Sequence, residues 1–291
     1  MGLIQPNTPS MIDSKKIVFL VESSANTAEA EKIANHLGLP IIACSTIANY
    51  IHDFVNNTKE TSQSPKKLNA SEIDSNEDTL MLCLSSSGLS LQKGNMSLHC
   101  DFQDMLSRIK PGKLQSELLV KAAKIKSSNS SVSTSLTAID ATAGLGQDSF
   151  LLAAAGFSVH MYEQDPIIAA LLRDALQQAN HNPNLFPITQ RMHLYEKNSI
   201  LALQTITETP DVIYLDPMFP ARTKSAAVKK KFQLLHELEQ PCENEEVLLQ
   251  AAEALHPRKI VVKRMLKGPY LAQKKPSYSL KGKSIRYDCY V

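Results

Sequence analysis

The chain forms no CxxC pair and no tight cysteine cluster, because its five cysteines stand far apart at Cys44, Cys83, Cys100, Cys242 and Cys289. That spacing excludes a disulfide framework and points away from a metal site; the thiols read as free groups in a reducing cytoplasm. Long apolar runs are also missing: stretches such as Ile17 to Val21 fall well short of the roughly 20 residues that cross a bilayer. No basic segment followed by an apolar run opens the sequence, and Pro6 stands where an N-myristoylation signal wants Ser or Thr. The expectation is a soluble cytoplasmic protein with no membrane partner and no metal. Tryptophan is absent, which excludes nothing. Net charge is slight, +2, so no bulk field attracts or repels a partner.

What is present is ordinary in amount and uneven in placement. A chain of 291 residues with 43% apolar and 21% charged residues has enough core for one large domain, or for a medium domain with an appendage. The basic residues are gathered: Pro257 to Tyr287 holds ten Lys and Arg and no acid, and Arg222 to Lys231 holds five with no acid. Such stretches are either solvated surfaces or contacts for a polyanion, and only a catalytic motif beside them decides which.

Hydrophobic periodicity divides the chain near residue 105. Before it, a strand over Lys16 to Glu22, a helix within Ser23 to Gly38, a strand over Leu39 to Ala43, and short strands at Leu80 to Leu84 and Leu89 to Leu91 suggest a small α/β unit, 1–105. Asn56 to Thr79 is polar and without period, and reads as a long mobile loop. After a helix over Ser116 to Lys126, the pattern over 106–291 becomes regular. Strands are expected at Leu136 to Asp140, Ser158 to Glu163, Arg191 to Tyr195, Asp211 to Leu215 and Lys259 to Lys263, with candidates at Tyr278 to Leu280 and Ile285 to Val291. Helices fall between them: Asp148 to Ala155 closed by Gly156, Pro166 to Ala179, Ile200 to Ile206, and two segments after residue 223. Strands alternating with helices imply an α/β fold with a parallel sheet and right-handed crossovers. No internal repeat is visible.

Two motifs carry chemistry. Asp140-Ala-Thr-Ala-Gly144-Leu-Gly146 lies between a strand and a helix, where glycines let backbone approach a ligand and the helix start offers N–H groups. Ser149 stands where a dinucleotide fold would carry its third glycine, so an oxidoreductase is disfavoured. An acid at the strand end followed by G-x-G resembles the S-adenosylmethionine loop of class I methyltransferases. Glu163, at the end of the next strand, is placed to accept both hydroxyls of a ribose.

The second motif, Asp216-Pro217-Met218-Phe219-Pro220, follows the apolar strand Val212 to Leu215. It resembles the D-P-P-Y/F motif of enzymes that methylate exocyclic amines of bases. An aryl amine's lone pair is delocalised into its ring, so acceptors must hold the N–H groups and aim the lone pair. Asp216 and the Pro217 carbonyl supply acceptors, and Phe219 can stack on the base.

Taken with Lys224-Ser-Ala-x-Val-Lys-Lys230, Ile260-Val-Val-Lys-Arg264 and Lys281-Gly-x-x-x-Arg286-Tyr-Asp-x-Tyr290, these motifs resemble the bacterial ribosomal RNA small subunit methyltransferase J family over roughly residues 100 to 291. The resemblance implies a class I, Rossmann-like fold with a seven-stranded, mostly parallel sheet, S-adenosylmethionine as cofactor, and methylation of a guanine N2 in 16S ribosomal RNA, free or in the small subunit. It implies cofactor contacts at Asp140, Gly144, Gly146, Gln147, Asp148, Glu163, Gln164, Asn198, Ser199 and Asp216, and catalysis at Asp216, Pro217 and Phe219. RNA contacts are expected at Arg222, Lys224, Lys229, Lys230, Lys263 and Arg264. Gln147 and Gln164 stand where the family pattern has arginine, and Asn198 where it has serine. Methylation of an amine in DNA or in another RNA shares the motif logic, and a non-catalytic RNA-binding protein would need only the basic stretches.

Overall fold

The structure is a computed structural model that describes residues 17–45, 79–94, 96–125, 136–217, 234–235, 238 and 244–291. Its contacts divide the chain into two units, Met1–Cys100 with Ser225–Leu238, and Asp101–Lys224 with Glu239–Val291. The sequence boundary near 105 gave Ser225–Leu238 to the second unit.

In the first unit, β1 (Ile17–Glu22) lies between β2 (Ile41–Cys44) and β3 (Leu80–Ser85), parallel to both, and β4 (Gly88–Lys93) and β5 (Met96–His99) continue the sheet antiparallel. β5 is a strand that periodicity did not single out. Helix α1 (Thr27–Leu37) begins because the Asn26 side chain accepts from the N–H groups of Ala28 and Glu29, and ends at Gly38, whose φ of 66° closes it. One face of α1, Ala30, Ile33, Ala34 and Leu37, is buried. The polar stretch expected to be mobile lies, up to residue 78, outside the described residues.

The second unit carries the seven-stranded sheet. Its strands are β6 (Thr137–Asp140), β7 (Ser158–Glu163), β8 (Met192–Glu196), β9 (Val212–Leu215), β10 (Lys259–Met265), β11 (Tyr278–Lys281) and β12 (Ile285–Tyr290), in the order β11-β12-β10-β9-β6-β7-β8. The run β8-β7-β6-β9-β10 is parallel, and β12 runs antiparallel to both β10 and β11. Val212, Ile213, Tyr214 and Leu215 are all buried, as a central parallel strand requires when both of its faces are covered.

The connecting helices are α2 (Leu118–Ala123), α3 (Gln147–Ala154), α4 (Pro166–Ala179), α5 (Phe186–Thr189), α6 (Ser199–Leu203) and α7 (Glu245–Ala254). The other helix expected after residue 223 falls on residues that are for the most part outside the described ones. α4 starts where Asp165 accepts from the N–H groups of Ile167 and Ile168, with Pro166 in the first turn. Core packing on one face joins Ile139, Ile213, Leu215 and Val262 to Leu248, Leu249 and Ala252 of α7. From β6 the chain builds outward to β7 and β8 on one side, and from β9 to β10 on the other. The order therefore reverses between β6 and β9, and such a crevice at the carboxyl ends of parallel strands is where open α/β sheets bind ligands.

Candidate active site

Five strand ends meet at that crevice, beginning with β6. Asp140 ends β6 as a buried carboxylate, 1% exposed, that accepts from Ser149 Oγ at 2.6 Å and from the Thr142 N–H at 3.1 Å. Burial pushes its carboxyl up to about 7 against these hydrogen bonds. At this position, expected as a cofactor contact, the Asp140 side chain is turned under the loop and shapes it. Gly144 and Gly146 have φ of 52° and 70°. At Gly146 a Cβ would also meet Leu172 Cδ1 at 2.7 Å, so both backbone and packing demand glycine. Gly146 precedes α3 without giving it a side-chain cap, which leaves the first N–H groups of α3 as donors at the crevice.

Glu163 ends β7 with one oxygen accepting from the Gly144 N–H at 2.9 Å and the other from the Asp165 N–H at 2.8 Å. These two bonds fix the carboxylate against the glycine loop. Burial is the main reason its carboxyl is raised to about 7. Beside it, exposed Gln164 accepts through Oε1 from Asn198 Nδ2 at 2.7 Å, and Asn198 Oδ1 caps α6 by accepting from the Leu201 N–H at 3.1 Å. The structure thus brings Glu163, Gln164, Asn198 and Ser199 together from the ends of β7 and β8.

Asp216 follows β9, and its N–H donates to Thr142 Oγ1 at 2.6 Å, tying the β9 end to the loop after β6. Lys263 Nζ donates to Asp216 Oδ2 at 2.7 Å and to Asp148 Oδ2 at 2.8 Å. Asp148, in the first turn of α3, also accepts from Tyr214 OH at 2.6 Å. The Asp216 side chain is 37% exposed, and that of Lys263 26%. Burial raises the Asp216 carboxyl and Lys263 opposes it; the Asp148 carboxyl lies below its ordinary value because Lys263, and then the Tyr214 hydroxyl, outweigh burial. Burial alone would lower the Lys263 ammonium, but the two carboxylates lift it well above its usual range. Pro217 is buried next to Asp216.

Two of the expected RNA contacts, Lys263 and Arg264, have partners within the fold. Lys263 is committed to Asp148 and Asp216 inside the crevice. Arg264, 1% exposed, points into the core and pairs with Glu245 at 3.0 Å, so a phosphate cannot reach it. Phe219, Arg222, Lys224, Lys229 and Lys230 lie outside the described residues. The roles of Lys263, Tyr214 and Thr142 at this site were missed in the sequence. A signal existed for the first: Lys263 interrupts the apolar run Ile260-Val261-Val262, and a cation inside a strand of a buried sheet needs a counter-ion.

Residues 66–291 match the family model described as "Putative SAM-dependent methyltransferase". Proteins named ribosomal RNA small subunit methyltransferase J are similar to this chain. The one from Pseudomonas aeruginosa (strain LESB58) is 49% identical over 153 residues, 52% of this chain and 59% of its own length. That from Pseudoalteromonas atlantica is 45% identical over 159 residues, 53% and 62% of the two chains. The chain thus spans about 59% to 62% of the length of these relatives. A crystal structure of a SAM-dependent methyltransferase from Neisseria gonorrhoeae is similar with a TM-score of 0.63 and 28% identity, covering 94% of this chain and 95% of that one.

Proposed function

The chain belongs to the SAM-dependent methyltransferase family, and from that premise we propose that it methylates the exocyclic N2 amine of a guanine in 16S ribosomal RNA. S-adenosylmethionine is its cofactor, and the groups at the crevice suit that molecule. The uncapped start of α3 offers N–H donors to a carboxylate, the Glu163 carboxylate suits a ribose diol, and the amides of Gln164 and Asn198 suit an adenine edge. When bound, the cofactor supplies a methyl carbon that an attacking lone pair captures while the carbon–sulfur electron pair stays with sulfur.

The observation that carries the reading is Asp216: a carboxylate at the end of the central strand, fixed through its backbone N–H by Thr142 and at Oδ2 by Lys263, with Oδ1 left to face a substrate. Asp216 accepts an N–H of the amine, aims its lone pair, and takes the proton that the nitrogen must lose once its new bond to carbon has formed. Restricting the amine in this way, beside fixed charges, supplies most of the rate. The choice of guanine N2 and of small-subunit RNA follows the family resemblance of the motifs and the names borne by the similar proteins. A nucleotide in folded RNA must leave its stack to reach such a crevice, and the basic stretch from Arg222 and the exposed lysines that follow Arg258 are the candidate cations for its phosphates.

The test is transfer of labelled methyl from S-adenosylmethionine to small ribosomal subunits that lack native methylation, followed by digestion to nucleosides. N2-methylguanosine is the expected product. Asp216→Ala is expected to lower turnover at least about 100-fold, the usual loss of one transition-state partner, while the protein still folds. Unlabelled RNA despite bound cofactor would reject the substrate, and normal turnover of Asp216→Ala would remove Asp216 from the mechanism.

A further inference from the structure

A single ammonium bridges two carboxylates at the centre of the crevice. Lys263 Nζ lies 2.8 Å from Asp148 Oδ2 and 2.7 Å from Asp216 Oδ2. The carboxylates come from different elements, α3 and the end of β9, and without the cation they would face each other across its place. Two carboxylates sharing one site do not both ionise readily: one of them keeps its proton. Asp148 has a second partner, Tyr214 OH at 2.6 Å, which stabilises its charge. Asp216 has no comparable hydrogen bond to its side chain other than that from Lys263 among the described residues. The proton would therefore settle on Asp216.

We propose that Lys263 is a positioning residue that keeps Asp216 an acceptor towards the attacking amine. The proposal rests on the reading of Asp216 as the group that holds that amine. A protonated Asp216 would donate to the amine instead, engage the lone pair that must attack, and leave no base for the departing proton. With the ammonium in place, Oδ2 is fixed by a charge-assisted hydrogen bond and Oδ1 is held in one orientation. Among the described residues, the other charged or titratable groups acting on Asp216 are Asp148 from α3, Asp140 at the end of β6, Arg264 on β10, Tyr214 on β9 and Tyr287 on β12. Arg264 is buried and faces Glu245, so among the described residues Lys263 is the cation that touches Asp216.

The experiment measures methyl transfer against pH at saturating cofactor and RNA for wild type, Lys263→Met, Lys263→Arg and the Asp148→Asn/Lys263→Met pair. For Lys263→Met the acidic limb should move up by about 1 to 3 pH units, the effect of removing an opposite charge at this range, so the deficit is deepest at low pH and narrows as pH rises. Lys263→Arg should keep the wild-type limb, and the double variant should move it back, because the repelling carboxylate is gone. An independent reading needs no RNA: carbon-13 titration of the aspartate carboxyls, with Asp216 assigned from Asp216→Asn, should show Asp216 ionising at higher pH in Lys263→Met than in wild type. A uniformly scaled profile, or an unmoved Asp216 titration, would overturn the proposal and leave Lys263 as a tie between β10 and α3. If Lys263→Met does not fold, the wild-type titration decides: Asp216 ionised across the active pH range supports the proposal, and Asp216 protonated there overturns it. Failure of wild type to methylate RNA would defeat the substrate reading, while the titration would still decide the coupling of Lys263 to Asp216.

Discussion

At Gly146 two constraints coincide in one residue, and their sum can be measured. A φ of 70° costs an L-residue about 1 to 2 kcal/mol, and a Cβ would press on Leu172 Cδ1 at 2.7 Å. Gly146→Ala is expected to destabilise the protein by about 1 to 3 kcal/mol and to weaken S-adenosylhomocysteine binding, because the start of α3 must shift. Thermal melting and calorimetric titration of the variant check both, and unchanged affinity would mean that the α3 N-terminus takes no part in binding the cofactor. The positions of the loop glycines and of the strand-end acids were legible from sequence, since both residue types announce themselves. Residues that act through a partner were harder to read. Asp140 looked like a ligand contact because strand-end acids often are, yet Ser149 and Thr142 claim its oxygens. Lys263 and Arg264 are adjacent cations on β10, but strand alternation sends one to the crevice and the other into the core towards Glu245. Charge counted along the chain carries no such direction.

The elements themselves are set by local chemistry, and α4 is a case that can be tested. Asp165 Oδ1 accepts from the N–H groups of Ile167 and Ile168 at 2.9 and 3.0 Å, and Pro166 presets the first turn. Asp165→Ala is expected to cost about 1 kcal/mol, read as a lower urea midpoint with unchanged slope. An unshifted midpoint would mean that another group takes over the cap. α4 and the parallel strands were legible because cap, period and apolar content agree there. β5 was not: at four residues, with Ser97 and His99 between apolar neighbours, it is too short for alternation to stand out. The same limit hid α5, a single turn at Phe186–Thr189. Strand order lies beyond local chemistry altogether, since pairing of β9 with β6 joins segments more than 70 residues apart. The family resemblance implied seven mostly parallel strands but not their order.

Taken over the whole molecule, the crevice has a price in stability that depends on pH. Asp140 and Glu163 are both buried, and their carboxyls are raised to about 7 from ordinary values of 3.8 and 4.5. The folded chain therefore holds protons that the unfolded chain has released between about pH 4 and 7, and stability falls with pH wherever the native state binds more protons. The contribution is complete below the unfolded values and is lost as pH rises through about 7. Asp148 works in the opposite sense, but its window lies below its ordinary value of 3.8. His160, lowered from 6.5 by burial and by His193, adds an opposing slope, and the raised Asp216 carboxyl adds to the fall. The net expectation is that, without ligand, the melting temperature falls between pH 5 and 7, by an amount on the order of a few kcal/mol in stability. Asp140→Asn, which can keep the contacts to Ser149 and Thr142 without a charge, should make that slope shallower. Scanning calorimetry across this range checks it. A flat wild-type profile, or a slope unaltered in Asp140→Asn, would mean that Asp140 folds as a fully ionised group and that the loop after β6 is more open to water than its burial implies.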